Sequence, residues 1–235
     1  MPVFHTQKLL FIHIPKNAGK AVEDAFLQSG GDSRIGHRSF FNRAAKYLLN
    51  KTASSLPRTQ LMGSYDYTFA APHLTYAEIV KLGLLDRATL RALTPFSVVR
   101  NPFDRAASSI FHYFGAKIIK KEMAIEDADA FSRALATWLE LEPGDHNEHA
   151  HRREQFDYVT LDGKTPALPH LLRYENLQQD LDAFCTLREI EKPSLKWVGR
   201  RREVRDLGAL YNDEAKRLVE RHFGRDLEEF GYQFP

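Results

Sequence analysis

Two apolar segments of this chain each end at a basic residue, which is an arrangement suited to binding an anion. Lys16 follows the apolar run 9–14 after a single proline, and Arg100 follows the run 96–99 directly. Short apolar runs of this kind predict buried strands, and the carboxyl ends of parallel strands meet at one edge of a sheet. We therefore expect the ammonium of Lys16 and the guanidinium of Arg100 to lie at the same edge.

The turn after Lys16 has the composition of an anion-binding loop. Small residues at 18 and 19 let the backbone turn closely, and a helical pattern extends from there to about residue 29. The amides of residues 17–21 then lie at a helix N-terminus, where N–H groups and the helix dipole favour an anion. The alternative is a surface lysine beside an ordinary turn. The candidate binding residues are Lys16, Asn17, Ala18, Gly19, Lys20 and Ala21.

This turn differs from the phosphate-binding loop GxxxxGK[ST] at two positions that matter. Gly19 and Lys20 match the end of that motif, but Ile14 stands where the motif requires its first glycine. Ala21 stands where a serine or threonine hydroxyl would hold magnesium. A magnesium-dependent nucleotide phosphotransferase is therefore disfavoured, and an anion site that needs no metal fits the residues better.

The segment after the second strand combines a guanidinium with a hydroxyl. The Asn-Pro pair at 101–102 indicates a helix N-cap followed by proline at the first helical position, and the predicted helix extends to about residue 119. Ser108 lies eight residues after Arg100, about two turns into this helix, and the two side chains can jointly hold a phosphate. Asp104 and Arg105 are expected to pair with each other or to cap the helix.

Together the two segments resemble the cofactor-binding motifs of a known enzyme family. The sequences IHIPKNAGKA and FSVVRNPFDRAASSIFHYF are similar to those of the PAPS-dependent sulfotransferases, particularly the carbohydrate branch that includes the heparan sulfate 2-O-sulfotransferase-like proteins. PAPS is 3′-phosphoadenosine 5′-phosphosulfate, the sulfonate donor. The resemblance implies that Lys16 and the turn 17–21 bind the 5′-phosphosulfate. It also implies that Arg100 and Ser108 bind the 3′-phosphate.

Further segments extend the resemblance over most of residues 8–234. HRREQFDY is similar to a His-x-x-x-Gln element of the family, which implies that His151 and Gln155 bind the acceptor substrate. LLRYENLQQDLDAFC and LYNDEAKRLVERHFGRDLEEFGYQF are similar to later segments of the family. The pair Lys20-Ala21 departs from the pattern, because the family has two hydroxyl residues there that contact the 5′-phosphate. Lys20 either replaces those hydrogen bonds with a charge or points to solvent, and a non-catalytic PAP-binding relative remains an alternative.

The proton acceptor that sulfonate transfer requires is assigned to His73. This residue follows a strand-like segment at 67–71 and precedes a capping box formed by Thr75 and Glu78, so it too lies at a strand end. The segment APHLTYAEI resembles the family's His-x-x-Tyr element, which implies the role of catalytic base. A neutral imidazole with a pKa of ~6.5 can accept a proton at neutral pH, and a structural histidine is the alternative.

Among the other histidines, only His13 and those of the segment 142–155 have a context that suggests a role. His13 lies within the first predicted strand and is expected to pack in the core. His146, His149 and His151 lie with two carboxylates in the segment 142–155, which is polar and is predicted to be a loop. Their spacing matches no standard metal site, so no metal is expected.

Strands and helices alternate along the chain, which predicts an α/β fold. Together with the resemblance, this alternation predicts a single sulfotransferase domain over residues 1–235. Its expected architecture is a P-loop-NTPase-like three-layer sandwich with a central, mostly parallel sheet flanked by helices. Strands are expected at 9–14, 67–71, 96–99 and 170–174, and helices at 19–29, 40–50, 76–82, 86–92, 102–119, 126–141, 176–189 and 212–223.

The composition excludes several other classes of protein. A content of 43% hydrophobic and 27% charged residues is that of a folded globular chain, and a net charge of +2 gives no general attraction to nucleic acid. The basic loop 196–205 lacks the aromatic stacking motif of RNA-binding modules, and it is expected to be solvated or to cover a ligand. Cys185 is interpreted as a core thiol. No apolar run approaches the ~20 residues of a membrane span and no signal-peptide pattern is present, so we expect a cytoplasmic protein.

The sequence therefore predicts an enzyme, a PAPS-dependent sulfotransferase. It is expected to transfer a sulfonate group to a hydroxyl of an acceptor, a carbohydrate by family branch, giving PAP and a sulfated product. Its expected partners are a nucleotide donor and a hydroxyl acceptor, with no metal, nucleic acid or membrane span. The identity of the acceptor and the oligomeric state are left open at this point.

Overall fold

The computed structural model describes residues 3–4, 6–28, 73–81, 83, 85–115, 124–143, 146–196 and 206–235. The strands are β1 (Val3–Phe4), β2 (Leu9–Ile12), β3 (Thr94–Val99) and β4 (His170–Arg173). The helices are α1 (Gly19–Gln28), α2 (Tyr76–Lys81), α3 (Arg87–Ala92), α4 (Pro102–Tyr113), α5 (Ala128–Glu140), α6 (His146–Arg152), α7 (Gln155–Val159), α8 (Leu177–Leu187), α9 (Leu207–Leu210), α10 (Asp213–His222) and α11 (Gly224–Phe230). The helix expected at 40–50, the strand expected at 67–71 and most of the basic loop 196–205 lie outside the described residues.

The described strands form one mixed, mostly parallel sheet in the order β1-β2-β3-β4. β2, β3 and β4 are parallel neighbours, and β1 pairs antiparallel with β2. Ile12 lies opposite Ser97, and Val99 lies opposite Arg173, so the parallel strands end at the same edge. The prediction of an α/β fold with a mostly parallel sheet flanked by helices is therefore confirmed for the described part of the chain.

The sheet buries both of its faces because successive side chains of a strand point to opposite sides. Leu10 and Ile12 of β2 belong to one hydrophobic cluster, which also contains buried residues of α2 and α7. Leu9 and Phe11 belong to a second cluster, which contains buried residues of α1 and α8. A third cluster, formed by α4, α5 and α10, packs separately around Phe131. The short strands are thus covered by helices on both sides.

The segment 142–155 is not the loop that its polar composition predicts, because it contains helix α6. Ala150 in this helix is fully buried in the first cluster. Its carbonyl accepts a hydrogen bond from the Tyr158 hydroxyl at 2.8 Å. Burial of one small side chain and anchoring of the backbone by α7 therefore stabilise a helix that has little apolar surface of its own.

His13 is also placed differently from the prediction. β2 ends at Ile12, so His13 follows the strand and does not lie within it. The side chain of His13 is 14% exposed, and its Nδ1 forms a hydrogen bond with the Glu23 carboxylate at 2.7 Å. His13 is therefore a paired polar residue at the end of the strand, and the prediction of a core histidine was wrong.

Candidate functional site

The turn between β2 and α1 has an unusual backbone conformation. Lys16 and Ala18 have φ angles of 69° and 59°, in the left-handed region that side chains other than glycine rarely adopt. The amides of Ala21 and Val22 both donate to the Ala18 carbonyl, at 2.8 and 3.1 Å, which marks the first turn of α1. Alternation of right- and left-handed residues turns successive N–H groups toward one concavity, and the first amides of a helix have no intrahelical acceptor. This geometry favours the binding of an anion in the turn.

Asn17 ties this turn to the neighbouring strand. Its side chain is only 1% exposed, and its amide nitrogen donates to the Val98 carbonyl at 2.7 Å and to Gln155 Oε1 at 2.6 Å. Among the described residues, the Asn17 Oδ1 atom is buried without a hydrogen-bond partner. Asn17 therefore fixes the left-handed turn against β3 and leaves one unsatisfied acceptor beneath it.

Gln155 links the ends of both strands. Its Oε1 also accepts from the Arg100 amide at 2.9 Å, and its Nε2 donates to the Arg100 carbonyl at 2.8 Å. Because the side chain is 0% exposed and both ends of its amide group bond protein atoms, it is held inside the protein. We therefore replace the predicted contact between Gln155 and the acceptor with a positioning role.

A buried carboxylate near the end of the chain supports Gln155 in turn. Asp226 in α11 is 0% exposed and accepts from the amides of Gln155 and Phe156, both at 2.8 Å, at the N-terminus of α7. Burial raises the pKa of Asp226, and the nearby Arg105 guanidinium acts in the opposite direction. Nothing in the sequence around Asp226 distinguishes it from a surface carboxylate, so sequence reasoning did not identify it.

Arg100 clamps the same turn from the end of β3. Its Nη1 donates to the Lys16 carbonyl at 2.6 Å, and its Nε and Nη2 approach Asp104 Oδ2 at 2.8 and 2.7 Å. Its guanidinium also lies 3.9 Å from the centre of the Tyr174 ring. Five N–H donors are available to an arginine, so within the described residues two remain for a ligand. Ser108 lies half-buried in α4, and Arg100 makes these bonds to groups other than Ser108.

The expected pair of Asp104 with Arg105 is therefore replaced by Asp104 with Arg100. Neighbouring residues of a helix point in different directions, whereas Asp104 can reach back to a residue four positions earlier. Arg105 is instead 2% exposed, and it donates to the Pro15 carbonyl at 3.3 Å and to the His151 carbonyl at 3.4 Å. It supports the backbone on both sides of the candidate site.

His73 is held in one protonation state by its surroundings. Its Nδ1 lies 3.0 Å from the His13 carbonyl oxygen, which can only accept a hydrogen bond, so Nδ1 carries the proton. Burial, and then the proximity of His13, lower the pKa of His73 well below its ordinary value, so the ring is neutral. The remaining nitrogen, Nε2, is then a proton acceptor, which is the state required of a base.

Four histidine rings form a row that begins at the turn. The ring centres of His13 and His73 are 4.6 Å apart, those of His73 and His151 are 5.8 Å apart, and those of His151 and His112 are 5.3 Å apart. Burial, and then the Arg105 charge, lower the pKa of His151 to about 3. Among the described residues, no group of three or more His, Cys, Asp or Glu side chains is arranged to hold a metal ion.

The His13 ring packs directly against Gly19, the first residue of α1. A Cβ added to Gly19 would come within 2.1 Å of the His13 ring, so only glycine fits there. Glu23, one turn further along α1, orients that ring through the hydrogen bond to Nδ1.

Lys20 is exposed, and Ala21 is 5% exposed and packs in the second core cluster. The sequence left open whether Lys20 replaces hydrogen bonds to the ligand or points to solvent, and in the structure it lies at the surface.

A cavity of about 390 Å³ adjoins the far end of the histidine row, between α4, α5 and α6. Sequence reasoning grouped two of its lining residues, Glu148 and His151, and the others come from the separate helices α4 and α5. We call it the α4–α6 cavity. Its lining includes Ser109, His112, Tyr113, Trp138, Glu148 and His151.

No family model, curated protein or solved structure matches this chain. Among the described residues, none of the helices is long and apolar enough to cross a membrane. The molecule is thus defined by its own features, as an α/β protein with a candidate oxyanion site at the carboxyl edge of a parallel sheet. Two cations, a left-handed turn and a neutral histidine lie at that edge.

Proposed function

We propose that this protein is a PAPS-dependent sulfotransferase that transfers a sulfonate group to a hydroxyl of an acceptor, with a carbohydrate as the acceptor class. The observation that carries the proposal is the clamp between the ends of β2 and β3. There Arg100 donates to the Lys16 carbonyl at 2.6 Å, and the neutral His73 is hydrogen-bonded to the His13 carbonyl just after β2. An anionic donor and a base for the acceptor are the two requirements of this reaction.

The residues present fit the two charged ends of PAPS. The left-handed turn, the first amides of α1 and the Lys16 ammonium would hold the 5′-phosphosulfate. Arg100 would use its two remaining N–H donors for the 3′-phosphate, with the Ser108 hydroxyl as the expected second contact. Exposed Lys20 adds positive charge at the entrance to α1, where the family has hydroxyl contacts.

The chain's own residues supply the chemistry that the transfer needs. Bound PAPS supplies the sulfonate group. The His73 Nε2 atom would take the proton of the acceptor hydroxyl, while the oxygen–sulfur bond to the acceptor forms and the sulfur–oxygen bond to the 5′-phosphate breaks. Lys16 and the amides of the turn would stabilise the negative charge that develops on the departing phosphate. Gln155 and Asp226 act indirectly, by holding the turn in this geometry.

A magnesium-dependent phosphotransferase receives no support from this arrangement. The position that would supply a hydroxyl ligand to magnesium is Ala21, whose methyl group is buried in the hydrophobic core. A non-catalytic PAP-binding relative differs from the proposed enzyme only in turnover, so the two are separated by assaying both binding and transfer.

The test is calorimetric titration with PAP in EDTA, followed by measurement of PAP release from PAPS with a panel of glycoside acceptors. We expect micromolar binding by the wild type and at least tenfold weaker binding by Lys16→Ala and Arg100→Ala, since a hydrogen bond to a charged group contributes ~1.5–3 kcal/mol. Arg91→Ala, an exposed arginine on α3, is the matched control and should bind normally. His73→Ala should bind PAP and lose turnover.

Two results would contradict parts of this proposal. Absence of PAP binding by the wild type would overturn the donor site. Binding by the wild type without transfer to any acceptor would identify a non-catalytic PAP-binding protein.

A further inference from the structure

We propose that His13 is a third cationic contact for the 5′-phosphosulfate of the donor and that the carboxylate of Glu23 positions its ring for this role. The identity of the donor rests on the sulfotransferase proposal, whereas contact between His13 and a bound phosphate group does not. The sequence predicts a core residue at this position, and the donor contacts proposed for the turn and for Arg100 do not include it. The inference therefore adds a residue to the donor side of the candidate site.

The ring of His13 lies against the first residue of α1. A Cβ added to Gly19 would come within 2.1 Å of both Cδ2 and Nε2 of His13, so this edge of the ring fills the space that a side chain would take. Gly19 belongs to the first turn of α1, and the first amides of a helix have no intrahelical acceptor. The absence of a side chain at Gly19 therefore brings Nε2 of His13 beside the amides that would hold an anion.

A buried carboxylate determines which nitrogen of His13 is left for a ligand. Glu23 is 4% exposed, and its Oε1 lies 2.7 Å from Nδ1 of His13. An ionised carboxylate only accepts hydrogen bonds, so Nδ1 carries a proton and donates to Glu23. That leaves Nε2, on the edge toward Gly19, as the nitrogen that can contact a ligand.

His13 is partly exposed, unlike the residues that support the turn. Its side chain is 14% exposed, whereas Asn17 and Gln155 are 1% and 0% exposed. His13 and Arg100 directly follow β2 and β3, whose carboxyl ends lie at the same edge of the sheet. A ligand bound at this edge can therefore contact the ring of His13.

A hydrogen bond from Nε2 to an anion requires a proton on both nitrogens, which makes the ring of His13 an imidazolium. The Glu23 carboxylate on one side and a phosphate or sulfonate oxygen on the other would both stabilise this positive charge. Lys16, three positions later, and the positive end of the α1 dipole act against it. A bound anion offsets that repulsion, so anion binding and protonation of Nε2 promote each other.

The same positive charge would keep the proposed base ready to accept a proton. The ring centres of His13 and His73 are 4.6 Å apart. Burial, and then the proximity of His13, lower the pKa of His73. A charged His13 therefore favours the neutral form of His73, whose Nε2 would take the proton of the acceptor. His13 thus connects the two halves of the proposed reaction, since its ring lies near both Gly19 and His73.

The first experiment follows the His13 ring directly by NMR. Protein labelled with nitrogen-15 in its histidines is titrated with PAP and, separately, with inorganic phosphate, and the His13→Asn variant identifies the His13 signals. We expect either anion to shift the Nε2 signal toward that of a protonated nitrogen, with a smaller change at Nδ1. An unchanged Nε2 signal in protein saturated with PAP would overturn the inference and leave the donor site intact.

The affinities of variants show which end of the nucleotide His13 contacts. His13→Asn keeps a nitrogen near the position of Nδ1 and removes Nε2, so it should bind PAP and adenosine 5′-phosphate about tenfold more weakly. Its affinity for adenosine 3′-phosphate should be unchanged, and equal weakening for both monophosphates would overturn the assigned contact. His13→Gln keeps an N–H near the position of Nε2 and should recover part of the loss. His222→Asn, which replaces an exposed histidine of α10, is the matched control.

Glu23→Gln tests the positioning role, because the amide oxygen can still accept from Nδ1 but carries no charge. We expect the PAP affinity of the wild type to fall as the pH rises and Nε2 loses its proton, and we expect this fall at lower pH in Glu23→Gln. Lys16, Glu23, His73 and the phosphates of PAP are all present in His13→Asn, so its difference from the wild type isolates His13. The same pH dependence in all three proteins would overturn the role of the Nε2 proton.

The two anionic probes separate this inference from the sulfotransferase proposal. A shift of the His13 signal with inorganic phosphate but no binding of PAP would keep the contact and overturn the donor site. Binding of PAP without a change at His13 would overturn the contact alone. No response of the wild type to either anion would overturn both.

Discussion

The neutral His151 ring should make the protein's stability depend strongly on pH. Burial, and then the Arg105 charge, lower the pKa of His151 from its ordinary value of 6.5 to about 3. Between about pH 3 and pH 6.5, the His151 ring therefore binds a proton in the unfolded chain but not in the folded chain. The stabilisation that His151 provides is therefore complete above pH 6.5 and is lost as the pH falls toward 3.

The size of this loss of stability follows from the shift in the pKa of His151. Each proton bound only by the unfolded state lowers the free energy of unfolding by about 1.4 kcal/mol per pH unit. At about pH 4.5, two units below the ordinary pKa, His151 alone lowers the free energy of unfolding by about 2–3 kcal/mol. His73, whose pKa is also lowered by burial, acts in the same direction.

The assay is urea unfolding of wild type, His151→Gln and His149→Gln at about pH 7.5 and about pH 4.5. His149 lies exposed on the same helix, so its replacement is the matched control. We expect wild type and His149→Gln to lose about 2–3 kcal/mol more than His151→Gln on acidification. Any constant cost of the substitution cancels in this difference. An equal loss in all three proteins would refute the conclusion that His151 is buried in its neutral form.

Three further substitutions test the turn and its support. Gly19→Ala would place a Cβ 2.1 Å from the His13 ring, so we expect about 1–3 kcal/mol less stability in urea and weaker PAP binding by calorimetry. Ala18→Gly relieves a φ of 59° and should be more stable by up to about 1 kcal/mol in the same titration. Gln155→Leu leaves the Arg100 amide and carbonyl without their partner, and its free energy of unfolding should fall by about 2–4 kcal/mol.

Each of these three predictions can be contradicted by a specific result. Wild-type PAP affinity in Gly19→Ala would mean that the position of the His13 ring does not matter to the anion site. A less stable Ala18→Gly would mean that the left-handed conformation carries no strain. A Gln155→Leu protein as stable as wild type would contradict the role of Gln155 as the link between the two strand ends.

Local features of this fold were predictable because the residues that make them are close in sequence. The amide of Thr75 donates to Glu78 Oε2 at 2.8 Å and the amide of Glu78 donates to Thr75 Oγ1 at 3.0 Å, as the capping box predicts. The side chain of Asn101 accepts from the Phe103 amide at 3.0 Å, as the Asn-Pro pair predicts. The shared edge of β2 and β3 was also predictable, because parallel strands must end together.

The support of the candidate site was not predictable, because it depends on contacts between distant residues. Asp226 is separated from Gln155 by 71 positions, and no local pattern marks it as buried. Glu23 lies in α1 among other charged residues, and only the turn brings it to His13. Helix α6 was missed for a related reason, since its small buried residue Ala150 packs against a cluster assembled from other segments.

The burial of Asp226 has a consequence for synthesis of the chain. A ribosome delivers α11 long after the left-handed turn, because most of the described elements lie between them in the chain. Until α11 docks, the amides of Gln155 and Phe156 lack the buried carboxylate that anchors α7, and Gln155 is not fixed against Asn17. The candidate anion site is therefore completed only after α11 has docked, so we expect a nascent chain or a fragment without α11 to bind an anion poorly.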